Sequence, residues 1–112
     1  MTNPSDNTHE SKSSLSPEIA FGLLANEQRR AVLQWFTNET VDVVKVATLA
    51  DHVHEEIDTV DTPRQAQITL THCHLRKLAN YDIIKFNSDD GLVRYQYFPQ
   101  IEAILIIANQ YE

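Results

Sequence analysis

Apolar side chains recur every three or four residues through most of the chain, switch to alternation near residue 83, and return to the longer spacing after residue 99. Ser16 before Pro17 has the form of an N-cap with proline at the first helical position. Ile19, Leu23 and Leu24 then predict a helix from Pro17 to about Ala25. Asn26 can cap a second helix, with Arg29, Val32, Leu33 and Phe36 on one side and fraying near Thr37 to Glu39. The β-branched run Val41 to Lys45 predicts a short strand. Val46, Leu49, Ala50 and Val53 form a third helical stripe ending near Ile57.

Thr62-Pro63-Arg64-Gln65 reads as a capping box, in which the Thr62 hydroxyl accepts from the Gln65 amide while Pro63 needs no donor. A helix is expected from Pro63 to about Tyr81. Projected at 100° per residue, it gathers Ile68, Thr71, Leu75, Leu78 and Ala79 on a core face. Ala66, Thr69, Leu70, Cys73, Lys77 and Asn80 then fall opposite, with Arg76 at the border. Ile83 to Asn87 and Leu92 to Phe98 are β-rich runs joined by Ser88-Asp89-Asp90-Gly91, the pattern of a hairpin. Pro99 opens a last helix with Ile101, Ile104, Leu105, Ala108 and Tyr111 along one face, widened by Ile106 and Ile107.

The 112 residues suit one domain. Residues 1–14, without an aliphatic side chain after Met1, read as a flexible tail; 15–98 form the domain, and 99–112 its C-terminal helix. The fold class is mainly α with a small β-hairpin. Sixteen Asp and Glu against nine Lys and Arg give a net charge of −7, which on average repels nucleic acid. The segment from Pro63 to Lys85 departs from that average, with Arg64, Arg76, Lys77 and Lys85 against Asp82 alone, a local +3. No apolar run approaches the roughly 18 residues of a membrane span, and the N-terminus has no apolar signal core, so a cytoplasmic location without membrane partner is expected.

Catalytic and metal chemistry find little support. No Gly-rich phosphate loop, serine elbow or paired-carboxylate motif is present, and the lone Cys73 has no orienting partner in sequence, so no enzyme activity and no cofactor are expected. The pairs His52, His54 and His72, His74 are two residues apart, about 200° around a helix, and neither pair can chelate by itself. No metal site is expected; His72 is read at the edge of the core with its ring bonded, and His74 as partly exposed.

Three segments carry a family resemblance. Leu24-Ala25-Asn26-Glu27-Gln28-Arg29-Arg30-Ala31-Val32-Leu33 resembles the opening helix of ArsR-like winged helix-turn-helix regulators. Thr48-Leu49-Ala50-Asp51 resembles the start of their helix-turn-helix, and His74-Leu75-Arg76-Lys77-Leu78 their recognition-helix signature. The fuller pattern Leu70-Thr71-His72-Cys73-His74-Leu75-Arg76-Lys77-Leu78 is similar to that of a haloarchaeal winged-helix domain of unknown function, and four Lys against sixteen acids suit a salt-adapted proteome.

The resemblance implies a winged helix-turn-helix fold and a homodimeric, double-stranded DNA-binding transcriptional regulator with its recognition helix at about 63–81. Arg64, Arg76, Lys77 and Arg94 would touch phosphates, Gln65 and Thr69 would read bases, and Ile101, Ile104, Leu105 and Ala108 would form the dimer seam. Departures from the family pattern are the long link from Ile57 to Pro63, Asp82 in a position often held by Gly, and the acidic Asp89 and Asp90 at the wing tip. The alternative is a protein–protein interaction module that has lost DNA binding and holds its partner with Leu70, Cys73 and the terminal helix.

Overall fold

The computed structural model describes residues 15–110, so the polar segment 1–14 and Tyr111 lie outside it. Six α-helices and three strands follow one another. They are α1 (Pro17–Leu24), α2 (Glu27–Asn38), β1 (Val43–Lys45), α3 (Val46–Glu56), α4 (Pro63–Thr69), a π-helical segment (Leu70–His74), α5 (Leu75–Asn80), β2 (Ile84–Asn87), β3 (Leu92–Tyr95) and α6 (Pro99–Gln110). The chain is therefore mainly helical, with one small antiparallel sheet in the order β1-β3-β2. The hairpin expected from the sequence gains β1 as a third strand on the far side of β3.

The helix starts follow their capping residues. Ser16 Oγ accepts from the Ile19 amide at 3.2 Å, and Asn26 Oδ1 accepts from Gln28 and Arg29 at 2.9 and 3.1 Å. Thr62 Oγ1 accepts from Gln65 at 3.0 Å. Each bond satisfies a donor that the helix leaves free, worth about 1 kcal/mol apiece. At the hairpin tip, Asn87 Oδ1 accepts from Asp89 and Asp90 Oδ1 from Leu92, while Gly91 takes φ +69°, a conformation that L side chains adopt at a cost. The Gly91 carbonyl then accepts from the Val46 amide at 2.9 Å, tying the start of α3 to the hairpin. Asp82 also takes a left-handed φ, +63°, where a short polar side chain substitutes for glycine.

Leu23, Val32, Leu33, Leu49, Val53, Leu75, Leu78, Ile83, Ile84, Val93 and Ile101 are fully buried where the helices meet the inner face of the sheet. Phe36 stacks on Tyr95 with ring centroids 5.5 Å apart, joining α2 to β3. The Tyr95 hydroxyl accepts from the Phe98 amide and donates to Glu102, which fixes the approach to α6; burial pushes that phenol's pKa up.

The helix over 63–80 differs from its projection. The Leu75 amide donates to the Leu70 carbonyl, five residues back, so one turn holds an extra residue and the buried stripe shifts by about 100°. Upstream of the turn the stripe is Ala66 and Leu70; downstream it is His74, Leu75 and Leu78. A single α-helical phase fitted to Leu75 and Leu78 and run backwards places Ile68 inside and Leu70 outside. The structure has the reverse, with Ile68 50% exposed and Leu70 fully buried. Leu70→Ala should therefore cost roughly 2–5 kcal/mol of unfolding free energy, and Ile68→Ala no more than about 0.5 kcal/mol. Urea denaturation of the two variants checks the phase, and equal losses would contradict it.

Candidate nucleic-acid interface

The π-turn decides which side chains of residues 63–80 face outward. Arg64, Gln65, Arg76 and Lys77 are exposed, as expected. Thr69 is half-buried, and its hydroxyl donates to the Gln65 carbonyl at 3.0 Å within the helix. Arg76 Nε donates to the Thr71 carbonyl at 3.3 Å, leaving the rest of its guanidinium free to reach outward.

Arg64 shares a shallow cleft of about 270 Å³ with Gln67, Ile68, Thr71 and His72, residues that follow one face of the helix. Gln65 and Thr69 do not line it. Sequence reasoning missed Gln67, Ile68, Thr71 and His72 because a continuous α-helical phase turns Ile68 and Thr71 inward; only the Leu70-to-Leu75 spacing of apolar residues hints at the extra residue. A second cleft, about 410 Å³, joins Arg76 and Asn80 to Phe86 and Ser88 of the hairpin. Arg94 stands apart on β3, exposed, with Asp42 at 3.9 Å.

The cations divide cleanly. Eight of the nine Lys and Arg lie in the described residues, and Lys12 is outside them. Arg29 and Arg30 are half-buried and spend their guanidinium groups on carbonyls at the end of α1: Gly22, Leu23 and Leu24. The other six, Lys45, Arg64, Arg76, Lys77, Lys85 and Arg94, are all exposed, on the 63–80 helix or on the three strands. No carboxylate occurs from residue 62 to residue 81.

His72 and His74 exchange their expected places through the same one-residue shift. His72 is exposed, whereas His74 is buried with its Nδ1 3.3 Å from Arg29 Nη1. A guanidinium only donates, so Nδ1 accepts and the ring is neutral with its proton on Nε2. His54 Nδ1 lies 3.0 Å from the Val60 carbonyl, a bond that closes the α3–α4 link. Among the described residues no group of three or more His, Cys, Asp or Glu is placed to hold a metal ion.

The terminal helix also departs from its sequence expectation. Ile101 and Leu105 are buried in the domain's own core and are not available for a seam. Ile104 and Ala108 are half-buried, and with Phe21 and Ile107 they line an apolar groove of about 310 Å³ between α1 and α6. Phe21 is 59% and Ile107 54% exposed. The period of α6 marks two faces, and α1 and α2 occupy the one centred on Ile101. Leu70, assigned above to a partner surface, is likewise closed off in the core, while Cys73 is exposed. Among the described residues no helix is long and apolar enough to cross a membrane.

The site thus defines a mainly helical domain with an acidic body and a cationic side. The chain belongs to a family described as a domain of unknown function, DUF7344, whose model matches residues 21–94, from α1 to β3. No curated protein and no solved structure matches it.

The Arg29–His74 contact makes stability depend on pH. Burial, and then the Arg29 charge, hold the folded pKa of His74 below its ordinary 6.5. Below pH 6.5 the unfolded chain binds a proton that the folded chain refuses, so stability is complete above that pH and declines as pH falls toward the folded value. Urea midpoints should be level from pH 8 to 7 and lower at pH 5.5, with a smaller decline in His74→Gln. An equal decline in that variant would assign the effect elsewhere.

Proposed function

We propose that this chain is a winged-helix regulator that binds double-stranded DNA as a homodimer in the cytoplasm, without catalysis or cofactor. The 63–80 helix serves as recognition helix and β2–β3 as wing. The observation that carries this reading is the partition of charge: in a chain of net −7, every exposed Lys and Arg of the described residues lies on that helix or on the sheet. A surface evolved only for solubility would intersperse its signs. The resemblance of the 24–33, 48–51 and 74–78 segments to ArsR-like regulators supports the same conclusion.

Arg64, Arg76 and Lys77 hold phosphates. Gln65 and Gln67 offer amides that can pair with adenine, and Ile68 gives an exposed apolar contact for a thymine methyl in the major groove. The α1–α6 groove, bearing Phe21, Ile104, Ile107 and Ala108, is the dimer surface, and two-fold pairing of it sets two recognition helices on one duplex. The net −7 and the acidic hairpin tip favour a second reading, in which the same fold holds a protein partner through that groove.

Fluorescence anisotropy against fragmented genomic DNA and a random duplex, over a range of potassium chloride, separates the two. Binding that prefers some genomic fragments is expected, and no binding at low salt overturns the DNA reading. Replacing Arg76 and Lys77 together by Ala should reduce the slope of log affinity against log salt by about 2 per bound protomer. An unchanged slope would remove both from the contact set. Ile107→Glu should yield a monomer by sedimentation velocity with unchanged far-ultraviolet circular dichroism; a persisting dimer would place the seam elsewhere.

A further inference from the structure

The sheet has an outer face that the recognition helix does not explain. Directly opposed residues of antiparallel strands project to the same side, so the pairs Val43↔Arg94, Lys45↔Leu92, Lys85↔Arg94 and Asn87↔Leu92 define that face. Val93, Tyr95 and Ile84 belong to the other face and are buried. Each strand contributes one exposed cation to the outer side: Lys45, Arg94 and Lys85.

Lys85 stands directly across from Arg94, and Lys45 lies on the diagonal from Arg94 on the opposite strand. Opposed like charges destabilise a sheet. None of the sixteen acids sits within the three strands, and the ion pair recorded for these cations is Arg94 with Asp42, at 3.9 Å and with both side chains more than half exposed. Such a pair is weak and easily displaced. Asp89 and Asp90 sit beyond, at the hairpin tip, with Asp90 turned back onto the Leu92 amide.

Two strand separations and the two-residue offset of Lys45 spread the three cations over about 12 Å. That is three to four times the roughly 3.4 Å axial rise per phosphate on one DNA strand, so the row suits a polyanion better than a single small anion. The cleft beside Arg76 and the cleft between Lys85 and Arg94 also meet at a shared residue, Phe86 on edge strand β2. Phe86 pairs with Val93 of the inner face, and it lies at the edge where the sheet meets the helix.

We infer that the outer face of the sheet, through Lys45, Lys85 and Arg94, is a second phosphate-binding track for the duplex held by the 63–80 helix, and that the acidic hairpin tip stays off the DNA. This rests on the DNA-binding reading above. Such a track offers charge rather than base contact, so it adds affinity to every sequence and selectivity to none.

The test uses the full chain, its Lys45→Ala/Lys85→Ala double variant and Asp89→Asn, with a 30-base-pair duplex titrated by anisotropy across potassium chloride. The double variant should bind more weakly, with a salt slope shallower by about 2 per bound protomer, and Asp89→Asn should leave the slope unchanged. If the unaltered chain binds the duplex and the double variant keeps its slope, the sheet track is wrong while the helix reading stands. If the unaltered chain binds no duplex at low salt, or prefers single-stranded RNA, the DNA reading fails and takes the track with it. A steeper slope in Asp89→Asn would bring the tip onto the DNA and overturn that part. Without any nucleic acid, Lys85→Gln should raise the thermal midpoint in low salt and not in high salt; no rise would remove the repulsion on which the inference stands.

Discussion

The guanidinium of Arg29 holds three elements at once. Nε and Nη2 donate to the Leu23 and Gly22 carbonyls at 2.7 and 3.1 Å, and Nη1 meets His74 in the π-helical segment. A helix as short as α1 has too few internal bonds to persist alone, and its last carbonyls have no partner within it. Arg29 and its neighbour Arg30, which donates to Leu24, supply those partners from α2. The planar fork of an arginine serves two carbonyls and a ring nitrogen together, which an ammonium on a flexible stem does not. His74 can receive the remaining donor only because the widened turn brings it inward in succession with Leu70 and Leu75. The position of α1, the phase of the 63–80 helix and the set of side chains it presents outward therefore meet at one residue.

Most element boundaries were legible because short-range chemistry marks them. Ser16, Asn26 and Thr62 cap as their types and positions require, and the Asn-to-Gly stretch 87–91 forms the expected turn. The pairing of β1 with β3 was not legible, since a three-residue strand has no periodicity and its partner lies about fifty residues away. The phase of the 63–80 helix was lost for a different reason. A π-turn breaks no helical pattern on either side of itself; it offsets one against the other, and averaging over the whole helix erases the offset. Every misplaced residue there, Ala66, Ile68, Leu70, Thr71, His72 and His74, follows from that one omission. For α6 the difficulty is of another kind: the sequence shows one broad apolar stripe, whose Ile101 edge closes the domain while its Ile107 edge faces solvent.

Charge is unevenly distributed over the surface. The exposed cations occupy the 63–80 helix and the outer side of the sheet, clusters of acids gather at the end of α3 (Asp51, Glu55, Glu56, Asp58 and Asp61) and at the hairpin tip, and exposed Phe21, Ile106 and Ile107 sit on α1 and α6, while Ile68 and Leu92 lie on the cationic side. Such sorting keeps long-range repulsion away from the cationic side and leaves the α1–α6 groove uncharged except for Arg30 at its edge. Under the proposed function these are the two surfaces a dimeric regulator needs, separated so that neither interferes with the other. In concentrated salt, charge contributes less to affinity, and the apolar Ile68 and the fit of the helix must then contribute more.

The side-chain amide of Gln100 pairs with the backbone of Leu15 in both directions, its Oε1 accepting from the amide and its Nε2 donating to the carbonyl, each at 2.8 Å and across 85 residues of chain. This clamp sits where α1 runs against α6. During synthesis, at about 5–20 residues per second, Leu15 leaves the ribosome several seconds before Gln100 exists outside it. Arg29 can already hold the end of α1, but the Leu15 backbone before its start has its partner only once Gln100 has emerged. The emerging chain can thus order its centre first, while the first turn of α1 waits for α6.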